Sequence, residues 1–466
     1  MFAAPAGHVK ISLAAHAKPP MTHKHRFLVL FILIPSPACG GGAASECNGG
    51  TEFTVSKNEV SSKIPTVGVV EWSLAGRAPS SAKIVYKLKD ATSSMLNQGG
   101  AAPVNLGKPN YRTLLLGLKQ SKDYTYHIEA TRDGKTCVSA DYALPSTGSF
   151  VNARPVTVRV AQAGKREPGF IVTSSGTSLP SSAFIIDADG DVVWYVDGPE
   201  NSTRAQMDYE GDTMWMVALN LDNEGGEMRY VSMDGEQEQQ NVAGFETVHH
   251  DFTVMPGGKV AALAWRVPGI DPESELVIRS PDGAVASPFK IGSNLYLSDT
   301  YHADAIHYIP SDDSFTIADR NPSVFVKVSA TGTPKWQLGG QCDQAPAGNR
   351  CSPQDWQVVH GHHLLEDGTF VAFNNTYTST SHVFEFKLNA TPSSFAATLV
   401  KDYAGNGSST TMGDVQRLPG GNTLVTYSGD GKIVELDSSW NEVQTFSARV
   451  GYSNWRPTLY GPPLRL

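Results

Sequence analysis

Residues 250–265 read HDFTVMPGGKVAALAW, residues 360–375 read HGHHLLEDGTFVAFNN, and residues 413–428 read GDVQRLPGGNTLVTYS. Each segment runs into a Pro/Gly or Asp/Gly turn and resumes with a second apolar stretch. In all three a glycine stands eight residues after the first position: Gly258, Gly368 and Gly421. Two short apolar runs around a glycine turn are the sequence sign of paired β-strands. A fourth copy, HADAIHYIPSDDSFTIADR at 302–320, has a longer turn. The first positions, His250, His302, His360 and Gly413, recur at intervals of 52, 58 and 53 residues. A repeat of that size fits one four-stranded propeller blade with generous loops. Strand pairs near FIIDADGDVVWYVD and MDYEGDTMWMVALN read as earlier copies. The expected fold is all-β, with a six-bladed β-propeller over residues 149–466, and NWRPTLYGPP helps close the ring so that no edge stays open.

The texture before residue 149 is different. VGVVEWSL, AKIVYKL, YRTLLLGL, DYTYHIEATRDG and SADYAL alternate with turns over 52–148. Leu116-Gly117-Leu118 followed by Tyr124-Thr125-Tyr126 resembles the end of a fibronectin type III module, so this part is expected to be a small β-sandwich without chemistry of its own. Residues 40–51, rich in Gly, Ala and Ser, read as a linker. Ahead of them His23, Lys24, His25 and Arg26 precede the apolar run FLVLFILI, a basic region followed by a short apolar one, as in an export signal. That run is too short for a spanning helix, which needs about 20 residues. PSPAC resembles a lipobox in which Cys39 would be cleaved and lipidated; plain secretion stays open beside it. Residues 1–39 are thus expected to be a leader, with Met21 as an alternative start that would leave 1–20 untranslated. The mature chain is expected in the periplasm, tethered to the outer membrane by lipid, or secreted.

The whole sequence has 466 residues, 37 basic and 46 acidic, for a net charge of −9. Such a balance argues against a nucleic-acid binder held by a basic face. Gly and Pro, 44 and 29 residues, are more frequent than usual and suit many short strands and turns. Apart from Cys39 four cysteines remain, an even number that suits disulfides in an exported chain. Cys342 and Cys351 bracket the short loop DQAPAGNR and are expected to pair, leaving Cys47 with Cys137.

His250, His302 and His360 open three consecutive repeats, on the strand expected to be innermost in each blade. Three imidazoles from separate blades would converge on one cavity at the channel mouth, with Arg320, at the end of the His302 hairpin, entering from the side. Such a set suits two chemistries. Imidazoles bind zinc, but a guanidinium is an awkward neighbour for a metal. Alternatively, a neutral imidazole is a nucleophile, and further imidazoles with a planar guanidinium fork stabilise an oxyanion. The anion reading is the stronger, and no metal is expected. Neighbouring His249, His362 and His363 leave the register open by one to three residues. Trp265, Trp356, Tyr301 and Tyr377 lie close to these positions in sequence and are available to stack on aryl rings, or to fill the blade cores.

HHDFTVMPGG, the stretch YHADAIHYIPSDDSFTIADRNPSVFVKVSATGTPKWQLGG, and VVHGHHLLEDGTFVAFNN together resemble the bacterial arylsulfate sulfotransferases. The resemblance covers roughly residues 150–465. It implies a six-bladed propeller with a small N-terminal β-domain that transfers a sulfuryl group from an aryl sulfate ester to a phenol without a nucleotide cofactor. It makes His360 the group that takes the sulfuryl, His250 and His302 further active-site histidines, and Arg320 the sulfate-binding arginine, with Asn374 beside the substrate and Cys342–Cys351 a disulfide near the site. The implied partners are a small aryl sulfate donor and a phenolic acceptor, whose proton His250 is expected to remove. Val359-His360-Gly361 stands where the family has Gln-His-Asp, and Asn374-Asn375 where it has Asp-Asn. The rival reading is an exported, non-catalytic propeller used for binding, which has no need to bring these four side chains into one cavity.

Overall fold

The computed structural model describes residues 47, 50–219, 225–267, 271–298, 300–346, 349–375, 380–391 and 393–463. The expected leader with Cys39, most of the linker, and Tyr377 lie outside the described residues. The described chain is all-β. Six sheets follow one another, antiparallel apart from the short parallel pairing of Cys351–Ser352 with Pro334–Gly339; Ser202–Met207, Val248–Met255, Ala303–Ile309, Val359–Leu364 and Asp414–Arg417 begin five of them. The remaining sheet is built from both ends of the region. Its first strand is Ser453–Arg456, paired with Phe170–Ser174, Ser182–Asp187 and Val192–Asp197. In turn, the strand before that sheet, Thr157–Val160, pairs with Glu442–Ser447 as the outer edge of the sixth. These two exchanges hold the beginning and the end of the region together. Each of the six first strands lies against the next, and Ser453–Arg456 touches both Asp414–Arg417 and Ser202–Met207.

Burial explains why the repeat reads as it does. Val248–Met255 is buried at every position, and its partner Lys259–Val267 carries VAALA through the core. Strands covered on both faces read as nearly continuous apolar runs. Further from the first strands the runs give way: Val285–Ile291 and Phe395–Ala404 are mostly exposed.

The N-terminal part forms two smaller sheets. One is Phe53–Val60, Gly68–Leu74 and Thr113–Leu115; the other is built around Ser81–Leu88 and Tyr124–Arg132. Tyr124–Arg132 alternates buried and half-buried positions along its whole length, as a strand with one covered face does. Val70, Trp72, Ile84, Tyr86, Leu115 and Ile128 share one core. Cys47 and Cys137 are disulfide-bonded, as are Cys342 and Cys351. Both bonds fit an oxidising compartment. Among the described residues no helix is long and apolar enough to cross a membrane.

The two parts are firmly joined. Lys119 is buried with its ammonium 2.5, 3.0 and 2.6 Å from carboxylates of Asp187, Asp189 and Asp191. The Tyr460 hydroxyl, just beyond the closing strand, accepts the Leu116 N–H at 2.8 Å and donates to Leu114 O at 3.1 Å. Ile64, Val67 and Leu116 pack with Val172, Trp194 and Met216 in a single cluster.

Candidate active site

Local backbone irregularity is what aims the site residues. Pairing slips in four successive first strands: between Ser202 and Arg204, Val248 and Phe252, Ala303 and Ala305, and Val359 and His362. A bulge of this kind redirects a side chain that a regular strand would send into the sheet stack. His250, at φ 49°, sits inside the second slip. Val358, at φ 61°, comes just before His360. A β-branched residue in that region is a genuine outlier, and such strain collects at functional sites.

His360 is almost fully buried and held from both sides. The Asn375 side-chain amide donates to Ser409 O at 2.7 Å and Met412 O at 2.5 Å. Its carbonyl oxygen is therefore the atom that meets His360 Nδ1, at 2.5 Å, and Nδ1 must carry the proton. The other ring nitrogen, Nε2, lies 3.0 Å from Asp304 Oδ2. Asp304 is fully buried, its main chain is bound by the Tyr452 hydroxyl at 2.9 Å, and neither of its carboxylate oxygens makes a hydrogen bond among the described residues, so the contact with His360 Nε2 is one of proximity.

His250 and His302 meet edge to face, with ring centres 4.6 Å apart and their Nε2 atoms 3.1 Å apart. His250 Nδ1 lies 2.9 Å from His249 Nδ1, so both nitrogens of His250 face other imidazoles. His249 stacks on Trp265 at 3.9 Å between ring centres. His250 is held well below its ordinary pKa by burial, then by His302, His249, His360 and Arg320. His302 is lowered by burial, and further by Arg320 and His360, against the opposing pull of Asp304. These mutual effects bring the four expected residues into one electrostatic neighbourhood. Arg320 donates its main-chain N–H to His302 O at 3.1 Å, while its Nε is buried without an acceptor among the described residues. The His302 main chain is bound in turn to Asp319 Oδ1 at 2.8 Å. Burial raises Asp319 to about 7, and its Oδ2 accepts from the Tyr296 hydroxyl at 2.8 Å.

Asn374 takes a different place from its neighbour: its side-chain oxygen accepts the Gln357 N–H at 3.1 Å and so shapes the segment leading to His360. Trp356 fills a core with Phe325 and Phe370. Three residues at the site did not stand out in the repeat: His249, Asp304 and Asn375. A signal for Asp304 was present, because Asp251, Asp304 and Asp414 all follow the repeat's first position by one or two residues. Gly361 occupies the same place in its strand for a steric reason, since a Cβ there would stand 2.5 Å from Asp414 Cα.

Next along the first strands is a plug of buried charge. Arg204 is fully buried, pairs with Asp251 and, at 3.1 Å, with Asp414, and lies over the Tyr452 ring at 4.4 Å. Burial raises Asp251 to about 7 against the pull of Arg204. Beyond the plug a cavity of about 560 Å³ is lined by Thr253, His307, Tyr308, His362, His363 and Asp414, among others, and contains none of the four expected site residues.

Two family models described as Arylsulfotransferase (ASST) match the chain, one over residues 156–277 and the other over 272–449. No curated protein matches. Solved structures that align with the chain include TolB from Acinetobacter baumannii, at 12% identity over 72% of this chain and 80% of that one, with a TM-score of 0.42. A catalytically inactive virginiamycin B lyase from Staphylococcus aureus, solved with quinupristin, aligns at 10% identity over 63% of this chain and 89% of that one, with a TM-score of 0.37.

Proposed function

The chain belongs to the arylsulfotransferase (ASST) family, and on that premise we propose that it transfers a sulfuryl group from an aryl sulfate ester to a phenolic acceptor through a sulfohistidine at His360, without a nucleotide sulfate donor. The observation that carries this reading is the double anchoring of His360. Asn375 holds the proton on Nδ1 and so leaves the lone pair on Nε2, the nitrogen that stands 3.0 Å from Asp304 Oδ2, for chemistry. The Nε2 lone pair attacks sulfur, the bond from sulfur to the aryl oxygen breaks, and the phenolate leaves. Arg320, with its unpaired buried Nε, supplies hydrogen bonds to the sulfuryl oxygens as charge builds on them, with His302 beside it. The phenolic acceptor then attacks the sulfohistidine, which gives ping-pong kinetics.

The six successive sheets support a six-bladed propeller over residues 149–466, with the two sheets of 52–148 as its sandwich appendage. Both disulfides support export, with Cys39 as the site of lipidation. The test is the release of 4-nitrophenol from 4-nitrophenyl sulfate with and without added phenol. His360→Asn is expected to lose about 10³-fold or more, and Arg320→Ala about 10²- to 10³-fold. Wild-type enzyme quenched after exposure to ³⁵S-labelled donor should carry label that His360→Asn lacks. Full activity in His360→Asn overturns the assignment.

A further inference from the structure

The three histidines beside His360 form an unbroken chain. His302 Nε2 meets His250 Nε2 at 3.1 Å, His250 Nδ1 meets His249 Nδ1 at 2.9 Å, and His249 Nε2 meets the buried Ser274 hydroxyl at 2.9 Å. A neutral imidazole has one donor and one acceptor nitrogen. Two consecutive N···N contacts among neutral rings therefore force a single direction on the whole chain. A serine hydroxyl can accept as well as donate; in the direction a relay from the open end needs, Ser274 accepts from His249 Nε2, His249 Nδ1 accepts from His250 Nδ1, His250 Nε2 accepts from His302 Nε2, and His302 Nδ1 is left with a lone pair at the open end. Exposure runs the same way: His249 is fully buried and His250 is 9% exposed, while His302 is more exposed than either.

We propose that His302, His250 and His249 are one proton relay, which takes the acceptor phenol's proton at His302 and carries it through His250 to His249 beneath Trp265. The inference rests on the sulfuryl-transfer reading above and assigns a role to His249 and Ser274, which that reading leaves without one. The step balances. The phenol O–H breaks and its proton bonds to His302 Nδ1. The phenol oxygen forms the new S–O bond, the S–N bond to His360 breaks, and its electron pair returns to Nε2. His302 hands its Nε2 proton to His250 Nε2, and His250 hands its Nδ1 proton to His249 Nδ1. His249, now protonated on both nitrogens, is the imidazolium, stacked on the Trp265 indole at 3.9 Å where a cation over an aromatic face is stabilised. Over a full cycle the relay gives this proton up to solvent, which balances the phenolate released in the first half-reaction. Moving the charge to His249 also removes it from the side of Arg320. Burial holds His249 and His250 well below the ordinary histidine pKa, which keeps the resting chain neutral and makes the loaded state quick to return its proton. His250, with both nitrogens inside the chain, acts through His302 and His249 and does not meet the phenol itself.

The relay is tested with His249→Phe, which keeps a ring against Trp265 but removes both nitrogens, and with Ser274→Ala, which keeps the imidazole and removes only the acceptor of its Nε2 hydrogen bond. Release of 4-nitrophenol from 4-nitrophenyl sulfate needs little proton assistance, and its burst should stay within about threefold of wild type. Transfer to a weakly acidic phenol should fall about 10²-fold in His249→Phe, and the loss should shrink steadily with more acidic phenols. Ser274→Ala should show the same trend with a smaller loss, and it serves if His249→Phe fails to fold. An equal loss in both half-reactions, or a loss independent of acceptor acidity, overturns the relay. Histidine ¹⁵N NMR of the wild-type protein gives a reading that needs no turnover. It should show His249 protonated on Nε2, His250 on Nδ1 and His302 on Nε2, and any other pattern breaks the chain. If the wild-type protein releases no phenol from any aryl sulfate, the sulfuryl-transfer reading itself fails, whatever the tautomers show.

Discussion

Two groups of histidines stand toward opposite ends of the first strands of these sheets, and they are built in opposite ways. At one end His249, His250 and His302 hydrogen-bond to one another and open toward Arg320 and His360. At the other end His307, His362 and His363 line the cavity, two of them tied to groups that are not imidazoles, and His362 Nδ1 also meets His360 O at 3.4 Å. His362 Nε2 meets the Thr316 hydroxyl at 2.9 Å, and His363 Nδ1 accepts the Arg417 N–H at 3.1 Å. His307 touches His362 edge to face at 4.7 Å, and its buried Nε2 makes no hydrogen bond among the described residues. Acids line that cavity, Asp312, Glu366, Asp367 and Asp414, with Lys327 bound to Asp312 at 2.9 Å, while Arg204 and Arg417, which act on its histidines, are not among its lining residues. Histidine count therefore does not make a site for an anion. What distinguishes the first end is a guanidinium Nε without an acceptor, and imidazoles whose partners are other imidazoles.

The largest expected effect strikes the layer that separates the two ends. Arg204→Met leaves Asp251 and Asp414 buried without their cation. At pH 8 it should cost about 3–5 kcal/mol of stability, read as a lower urea midpoint. If stability is unchanged, Arg204 is not the cation that holds Asp251 and Asp414 in the core.

A smaller effect is expected where the chain departs from the family pattern. Gly361→Ala would push a methyl group against Asp414, and it should cost about 1–3 kcal/mol in stability. Its 4-nitrophenyl sulfate turnover should also fall, because His360 is the adjacent residue. Unchanged turnover would show that His360 is held by Asn375 and Asp304 alone.

The smallest effect belongs to the far end. His363→Gln keeps an acceptor for Arg417 and should leave aryl sulfate turnover within about twofold of wild type. Its signature is in the pH dependence of stability. Burial lowers His363 from 6.5 to about 4, so across that interval the unfolded chain binds a proton that the folded chain does not. The stability at stake is fully present above pH 6.5 and is lost as the pH falls toward 4. His363→Gln should flatten that slope, measured as urea midpoints at pH 7 and pH 5. Asp319 works in the other sense: raised to about 7, its contribution is present at low pH and lost as the pH rises through 7, and the substitution leaves it in place. A large loss of turnover in His363→Gln would mean that the two ends are coupled.

Much of this contrast was legible in the repeat. The positions of His250, His302 and His360 follow from the spacing of the hairpins, because strands buried on both faces leave a clear apolar run before and after each turn. Arg320 was legible because it ends the hairpin that His302 begins. The choice among His249, His250, His362 and His363 was not legible. It depends on slips of strand pairing at Val248/Phe252 and Val359/His362, which turn side chains without leaving a mark in the pattern of apolar residues. Asn374 and Asn375 could not be separated for the same reason: adjacent residues on one strand face opposite ways, and only Asn375 reaches His360.

The sequence by itself determined the β architecture, the repeat, both disulfide pairs and the family, since all of these are written in local patterns of turn residues, apolar runs and cysteine positions. Only the tertiary structure decided how the imidazoles are wired. The hydrogen bond between His302 and His250 is set by the angle at which bulged strands from neighbouring sheets approach, and that between His249 and His250 by the slip of pairing within one strand; both are properties of packing and not of sequence order.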